Sequence, residues 1–131
     1  MLAIRLLPPL GLALLAACAQ TPSTQTLTQD QQGKCPLRLN DQQTLILTLP
    51  SNPTTGFRWQ LKEAAAPALR SLGPEVYSNP EEVGLVGSAG QSTWRFQAAQ
   101  PGEGRLLLLY QRPWETEVAP AERFDCLITV K

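Results

Sequence analysis

Beyond residue 35 the chain alternates apolar and polar positions with period two, the signature of half-buried strands. Leu45, Leu47 and Leu49 form one face against Thr44, Ile46 and Thr48. Phe57, Trp59 and Leu61 alternate with Arg58, Gln60 and Lys62, and Trp94, Phe96 and Ala98 with Thr93, Arg95 and Gln97. The run RLLLLYQ, residues 105–111, is apolar on both faces and predicts a central strand. RFDCLITVK predicts a closing strand, CPLRLN an opening one, and residues 75–79 a weaker one. Residues 63–72 are Ala-rich and predict at most a helical turn, because Pro67 stops a longer helix. The pattern is all-β: seven short antiparallel strands in an immunoglobulin-like sandwich.

The first 34 residues follow another pattern. In MLAIRLLPPLGLALLAAC, Arg5 precedes a short apolar stretch, Leu6 to Ala16, that predicts a cleaved signal peptide rather than a membrane span. Leu15-Ala16-Ala17-Cys18 resembles a bacterial lipoprotein signal, which implies that Cys18 is lipidated and becomes the new N-terminus. Ala19 rather than Asp follows, which by the same resemblance implies an outer-membrane anchor facing the periplasm; several acyl chains would be needed to hold it. An ordinary signal peptide with a chance Cys is the alternative. Residues 19–34 are Thr- and Gln-rich and predict a flexible tether, leaving 35–131 as one small folded domain.

Charge narrows the function. Removing the signal takes away Arg5, so Lys plus Arg falls from 11 to 10 against 11 acids, a formal net of −1. With no basic patch and no Gly-rich phosphate loop, nucleic-acid and nucleotide binding gain no support. The chain has no His, and its hydroxyls at Thr54, Thr55 and Ser88 belong to no nucleophile–base motif, which argues against catalysis. No metal or cofactor is implied: Glu81, Glu82, Glu115 and Glu117 are scattered on loops, and no Cys/His spacing suits zinc.

Of three cysteines, Cys18 is assigned to lipid, leaving Cys35 and Cys126. Cys35 shares parity with Leu37 and Leu39, and Cys126 with Phe124, Ile128 and Val130, so both point inward from terminal strands. In an oxidising envelope they are expected to form a disulfide; two buried thiols are the alternative.

If successive strands alternate direction, three unusual connections share one end of the sandwich, while ordinary turns at 41–43 and 100–104 take the other. The first is Asn52-Pro53-Thr54-Thr55-Gly56. Pro53 fixes its own φ and extends Asn52, Gly56 permits a positive φ, and two β-branched Thr stiffen the middle. The second ends in Gly87-Ser88-Ala89-Gly90, whose small residues allow close approach. The third begins Arg112-Pro113-Trp114, where Pro113 breaks the strand and presents an indole beside Arg, a composition typical of binding hot spots. Taken singly, each has a plainer reading: a decorative turn, a solvent loop, and a Trp folded back over the sandwich end.

NPTTGF, a Gly-rich loop and RPW, in this order on a small all-β domain, resemble the chagasin family of inhibitors of papain-like cysteine peptidases. The resemblance covers nearly all of 35–131; Ala89 stands where the family's Gly-x-Gly-Gly pattern has its second glycine. It implies a wedge of three loops over a peptidase's active-site cleft, with Pro53 to Gly56 above the catalytic Cys and Thr54 and Thr55 approaching closest. Gly87 to Gly90 would run along the substrate side, and Arg112 and Trp114 would pack on the leaving-group side. Inhibition would be reversible occlusion by a monomer. A stiff, uncharged loop suits such a role, since burying an unpaired charge in a narrow cleft is expensive. The alternative is a non-inhibitory envelope module that binds a glycan or another envelope protein through the same tip.

Overall fold

The computed structural model describes residues 23–79 and 90–131. These form nine strands: β1 (Thr24–Thr28), β2 (Leu37–Leu39), β3 (Thr44–Ser51), β4 (Arg58–Ala64), β5 (Leu69–Ser71), β6 (Val76–Ser78), β7 (Gly90–Ala98), β8 (Gly102–Gln111) and β9 (Glu122–Val130). One sheet has the order β1-β3-β7-β5, with β6 also paired to β7; the other has the order β2-β9-β8-β4. Between them lies a core to which β3 contributes Leu45, Leu47 and Leu49, β7 contributes Trp94, Phe96 and Ala98, β8 contributes Leu106 and Leu108, and β9 contributes Phe124, Cys126, Ile128 and Val130. This is the immunoglobulin-like sandwich that the alternating pattern predicts. Leu107 and Leu109 of β8 lie half-buried on its other face, as a strand flanked on both sides by neighbours allows.

The N-terminal boundary differs from the expectation. Thr24–Thr28 is not tether: it pairs in parallel with β3, from Thr24 opposite Thr44 to Thr28 opposite Thr48, and buries Leu27 completely. A 3-10 turn, Gln29–Lys34, then crosses to the second sheet. There the Gln32 side chain accepts the Asp125 N–H at 2.7 Å. The chain re-enters at β2, parallel to β9, so both sheets carry a parallel edge that strict alternation of direction does not anticipate. Cys35, on the run into β2, and Cys126 of the neighbouring β9 are joined as a disulfide, with Cα atoms 5.3 Å apart.

The Ala-rich stretch holds no helix. β4 runs on to Ala64, Ala65 turns the chain with φ 58°, and β5 begins at Leu69. Ala65, Ala68 and Leu69 are all buried, so this connection is part of the core. The parity of β4 also breaks. A register shift between Leu61 and Glu63 leaves Leu61 39% exposed, and only Trp59 of the predicted apolar trio is core. Phe57 precedes the strand and serves the tip.

Register fixes the poles. Ser51 faces Gly90, Ser78 faces Gln91, Arg58 faces Gln111, and Tyr110 faces Glu122. The 52–57 and 112–121 connections therefore leave from one end of the sandwich, as do the strand ends that flank 79–89. The turns at 40–43, 65–68 and 99–101 lie at the other end.

Candidate functional site: the loop tip

Asn52 organises the first loop. Pro53–Thr55 forms one 3-10 turn, in which Thr55 N–H donates to Asn52 O at 3.2 Å and Gly56 N–H to Pro53 O at 3.0 Å. Both threonine hydroxyls turn back on the same residue. Thr54 Oγ1 donates to Asn52 Oδ1 at 2.6 Å, and Thr55 Oγ1 donates to Asn52 O at 2.7 Å. A short polar side chain with its own carbonyl nearby suits this turn. Thr54 and Thr55 stay exposed, with both hydroxyls already engaged by Asn52.

The loop carries no charge, but arginines on its flanks brace it. Arg58 Nη1 donates to the carbonyls of Pro53 and Phe57, both at 3.0 Å. Arg112 Nε donates to Thr55 O at 3.0 Å, while its guanidinium lies over the Phe57 ring, 4.5 Å from the centroid. Its other arm pairs with Glu115 at 3.5 Å. The 112–115 segment closes as a turn, with Glu115 N–H donating to Arg112 O at 2.9 Å.

Gly56 and Trp114 join the first and third motifs. Gly56 has φ 88°, a region that disfavours any side chain. A Cβ there would fall 2.5 Å from Trp114 Cη2. The indole thus lies along the glycine and still keeps 68% of its surface exposed. It caps no core, unlike Trp59 and Trp94, which are 5% exposed each.

Gly90 opens β7 opposite Ser51, immediately beside the first loop. A Cβ on it would run into the Ser78 carbonyl and the Tyr77 hydroxyl, so glycine lets β6 close in at this corner. Gly87, Ser88 and Ala89 lie outside the described residues, as does Cys18. Of the predicted tip residues, Asn52, Pro53, Thr54, Thr55, Gly56, Gly90, Arg112, Pro113 and Trp114 are gathered at one end.

Period two places Phe57 on one face with Trp59 and Leu61 and gives no reason to single out Arg58, Tyr110 or Glu115 as site residues. Phe57 stacks on Tyr110 with centroids 5.2 Å apart, and Tyr110 in turn meets Trp59 at 4.8 Å. The one sequence signal for this stack is a tyrosine that closes the aliphatic run Leu106 to Leu109.

Fold and tip together define a binding module that presents a braced edge: a stiff neutral loop, an exposed indole, and arginines committed to holding them. The chain belongs to the chagasin family: residues 38–128 match the family described as Chagasin family peptidase inhibitor I42. It is 31% identical to amoebiasin-1 of Entamoeba histolytica over 68 residues, 52% of this chain and 64% of that protein, so the match spans just under two thirds of amoebiasin-1. It is 30% identical to chagasin of Trypanosoma cruzi over 82 residues, 60% of this chain and 73% of chagasin. Among solved structures, the cysteine protease inhibitor EhICP2 of Entamoeba histolytica superposes with a TM-score of 0.73 at 18% identity, covering 86% of this chain and 100% of that one. PbICP-C, solved in complex with falcipain-2, superposes with a TM-score of 0.52 at 17% identity, covering 89% and 96%. These two likenesses concern the fold. The family is one of inhibitors, not enzymes.

Proposed function

We propose that this chain is a reversible inhibitor of papain-like cysteine peptidases that works by occlusion. The observation that carries the reading is the joint between motifs: Arg112 and Trp114 grip the 52–56 loop at Thr55 and Gly56, so both loops enter a cleft as one piece. Pro53 to Gly56 would cover the peptidase's catalytic Cys, with Thr54 and Thr55 nearest. Gly87, Ser88, Ala89 and Gly90 would line the substrate side, and Arg112, Pro113 and Trp114 the leaving-group side. The carbonyls of Asn52, Pro53 and Thr55 already have donors, which together with the absent charge lowers the cost of desolvation, and the bracing lowers the cost of ordering. No acyl transfer is involved, and one copy acts alone.

Titration against a papain-like peptidase tests this. Stoichiometric, reversible loss of activity supports it. Undiminished activity at micromolar protein refutes it and favours an envelope module that binds a glycan or another protein through the same tip.

We place the chain in the cell envelope, anchored through lipid on Cys18 and facing the periplasm from the outer membrane. The sequence of residues 1–18 supports this, and so does the Cys35–Cys126 bridge, which persists in oxidising compartments. Cys18→Ser should release the protein from membranes in a fractionation experiment; unchanged membrane partition would argue against the anchor.

A further inference from the structure

We propose that Tyr110 is a positioning residue for the inhibitory loop and acts through the Asn52 backbone. This deepens the inhibitor reading and rests on it. β3 belongs to one sheet and β4 to the other, so residues 52–57 must cross between sheets. The β3–β7 ladder ends at Ser51 opposite Gly90. Beyond it, the Asn52 N–H donates to the Tyr110 hydroxyl at 2.9 Å, a partner supplied by the opposite sheet. Two residues earlier, the Pro50 carbonyl accepts Trp59 Nε1–H at 2.8 Å, again from the opposite sheet. The root of the loop is therefore tied across the sandwich at two backbone atoms by two aromatic side chains.

Tyr110 suits this task because its ring has little freedom. It sits opposite Trp59 in the β4–β8 register, in contact with Trp59 at 4.8 Å and stacked on Phe57 at 5.2 Å. Phe57 carries Arg112 on its ring, and Arg112 holds Thr55 O. A phenol clamped in this way fixes the position of its oxygen, and with it the Asn52 nitrogen. Asn52 is also where the loop's internal bonds converge, from Thr54 Oγ1 to its side chain and from Thr55 to its carbonyl. One hydroxyl thereby sets the height and tilt of the whole fingertip, although Tyr110 need not touch the peptidase.

Tyr110→Phe removes the hydroxyl and keeps the stack. The inhibition constant against a papain-like peptidase is expected to rise about tenfold, the worth of one lost backbone anchor. The Asn52 amide, followed by NMR hydrogen exchange in free protein, should exchange faster while core amides such as that of Leu47 are unchanged. An unchanged inhibition constant or unchanged Asn52 exchange would overturn the assignment. Leu106→Val, a core change far from the loop, serves as a matched destabilised control. If it weakens inhibition as much as Tyr110→Phe at equal loss of Tm, the effect is general softening and the assignment fails; if it does not, the assignment stands. If wild-type protein inhibits nothing, the inhibitor reading falls, and the Asn52 exchange rate alone still decides whether Tyr110 positions the loop.

Discussion

A Cβ on Gly56 would lie 2.5 Å from Cη2 of Trp114, so the indole occupies the place where any other residue's side chain would begin. Two motifs that are separate in sequence are thus one surface in space. Gly56→Ala should both push the indole away and strain a backbone held at φ 88°. The strain should cost about 1–2 kcal/mol of stability. Displacing Trp114 should weaken inhibition at least about tenfold, or ~1.4 kcal/mol. Urea unfolding and steady-state inhibition measured on the same preparation separate the two effects.

Trp114→Ala is the complementary change. With 68% of its surface exposed, the indole contributes little to the fold. Its removal should leave Tm nearly unchanged and cost inhibition about 2 kcal/mol or more, as central aromatic anchors do. A large fall in Tm would show that the indole packs as core.

The alternation in β3, β7 and β9 was legible because one face of each is buried and the other solvated, the condition under which period two appears. The inward-pointing cysteines were legible for the same reason. Asn52 to Gly56 and Arg112 to Trp114 stood out because Pro and Gly mark their places in any chain. β1 was not legible: Thr-Gln-Thr-Leu-Thr offers a single apolar residue, and what makes it a strand is the free edge of β3. Nor was the role of Phe57, whose parity matches Trp59 while a connection between sheets turns it to the tip. The bracing from afar was out of reach for a simpler reason: Tyr110 and Arg112 lie more than fifty residues along the chain and meet the loop only after β4 and β8 have paired, whereas Arg58 braces it locally.

Leu27 tests the boundary of the domain. It is fully buried although it precedes the region matched by the family, residues 38–128. Leu27→Ala should destabilise by about 2–5 kcal/mol, the usual cost of a cavity in a packed core. If residues 24–28 were dispensable tether, chemical denaturation would show no change.

The arginine beside the loop acts through shape rather than net charge. Arg112→Lys keeps the charge but loses the Nε bond to Thr55 and the planar stack on Phe57, and should weaken inhibition about tenfold. Glu115→Gln removes only a partly exposed pair at 3.5 Å, worth less than about 1 kcal/mol. Inhibition constants for the two variants, measured at low and high salt, should rank in that order at both.

Opening the disulfide should act on the body and spare the tip. Cys35 and Cys126 are 91 residues apart in sequence, so the bridge constrains a long loop in the unfolded chain. The chain-entropy model gives about 4–5 kcal/mol for such a closure. Reductant should lower Tm markedly; at temperatures where reduced protein remains folded, the inhibition constant should stay within about threefold of the oxidised form, equivalent to ~0.6 kcal/mol. Two thiols freely alkylated in native, unreduced protein would remove the basis of this expectation.

The direction of β1 has a consequence for how the molecule is mounted. Thr24 pairs with Thr44, and at the far side of the body Val130 pairs with Gly102, so both strand ends leave from the foot of the sandwich. Whatever holds the protein by residues before Ser23, or by an added handle after Lys131, grips it by the heel. The tip loops then point away from the attachment, and a bead, a fusion partner or a lipid leash at either place leaves them uncovered.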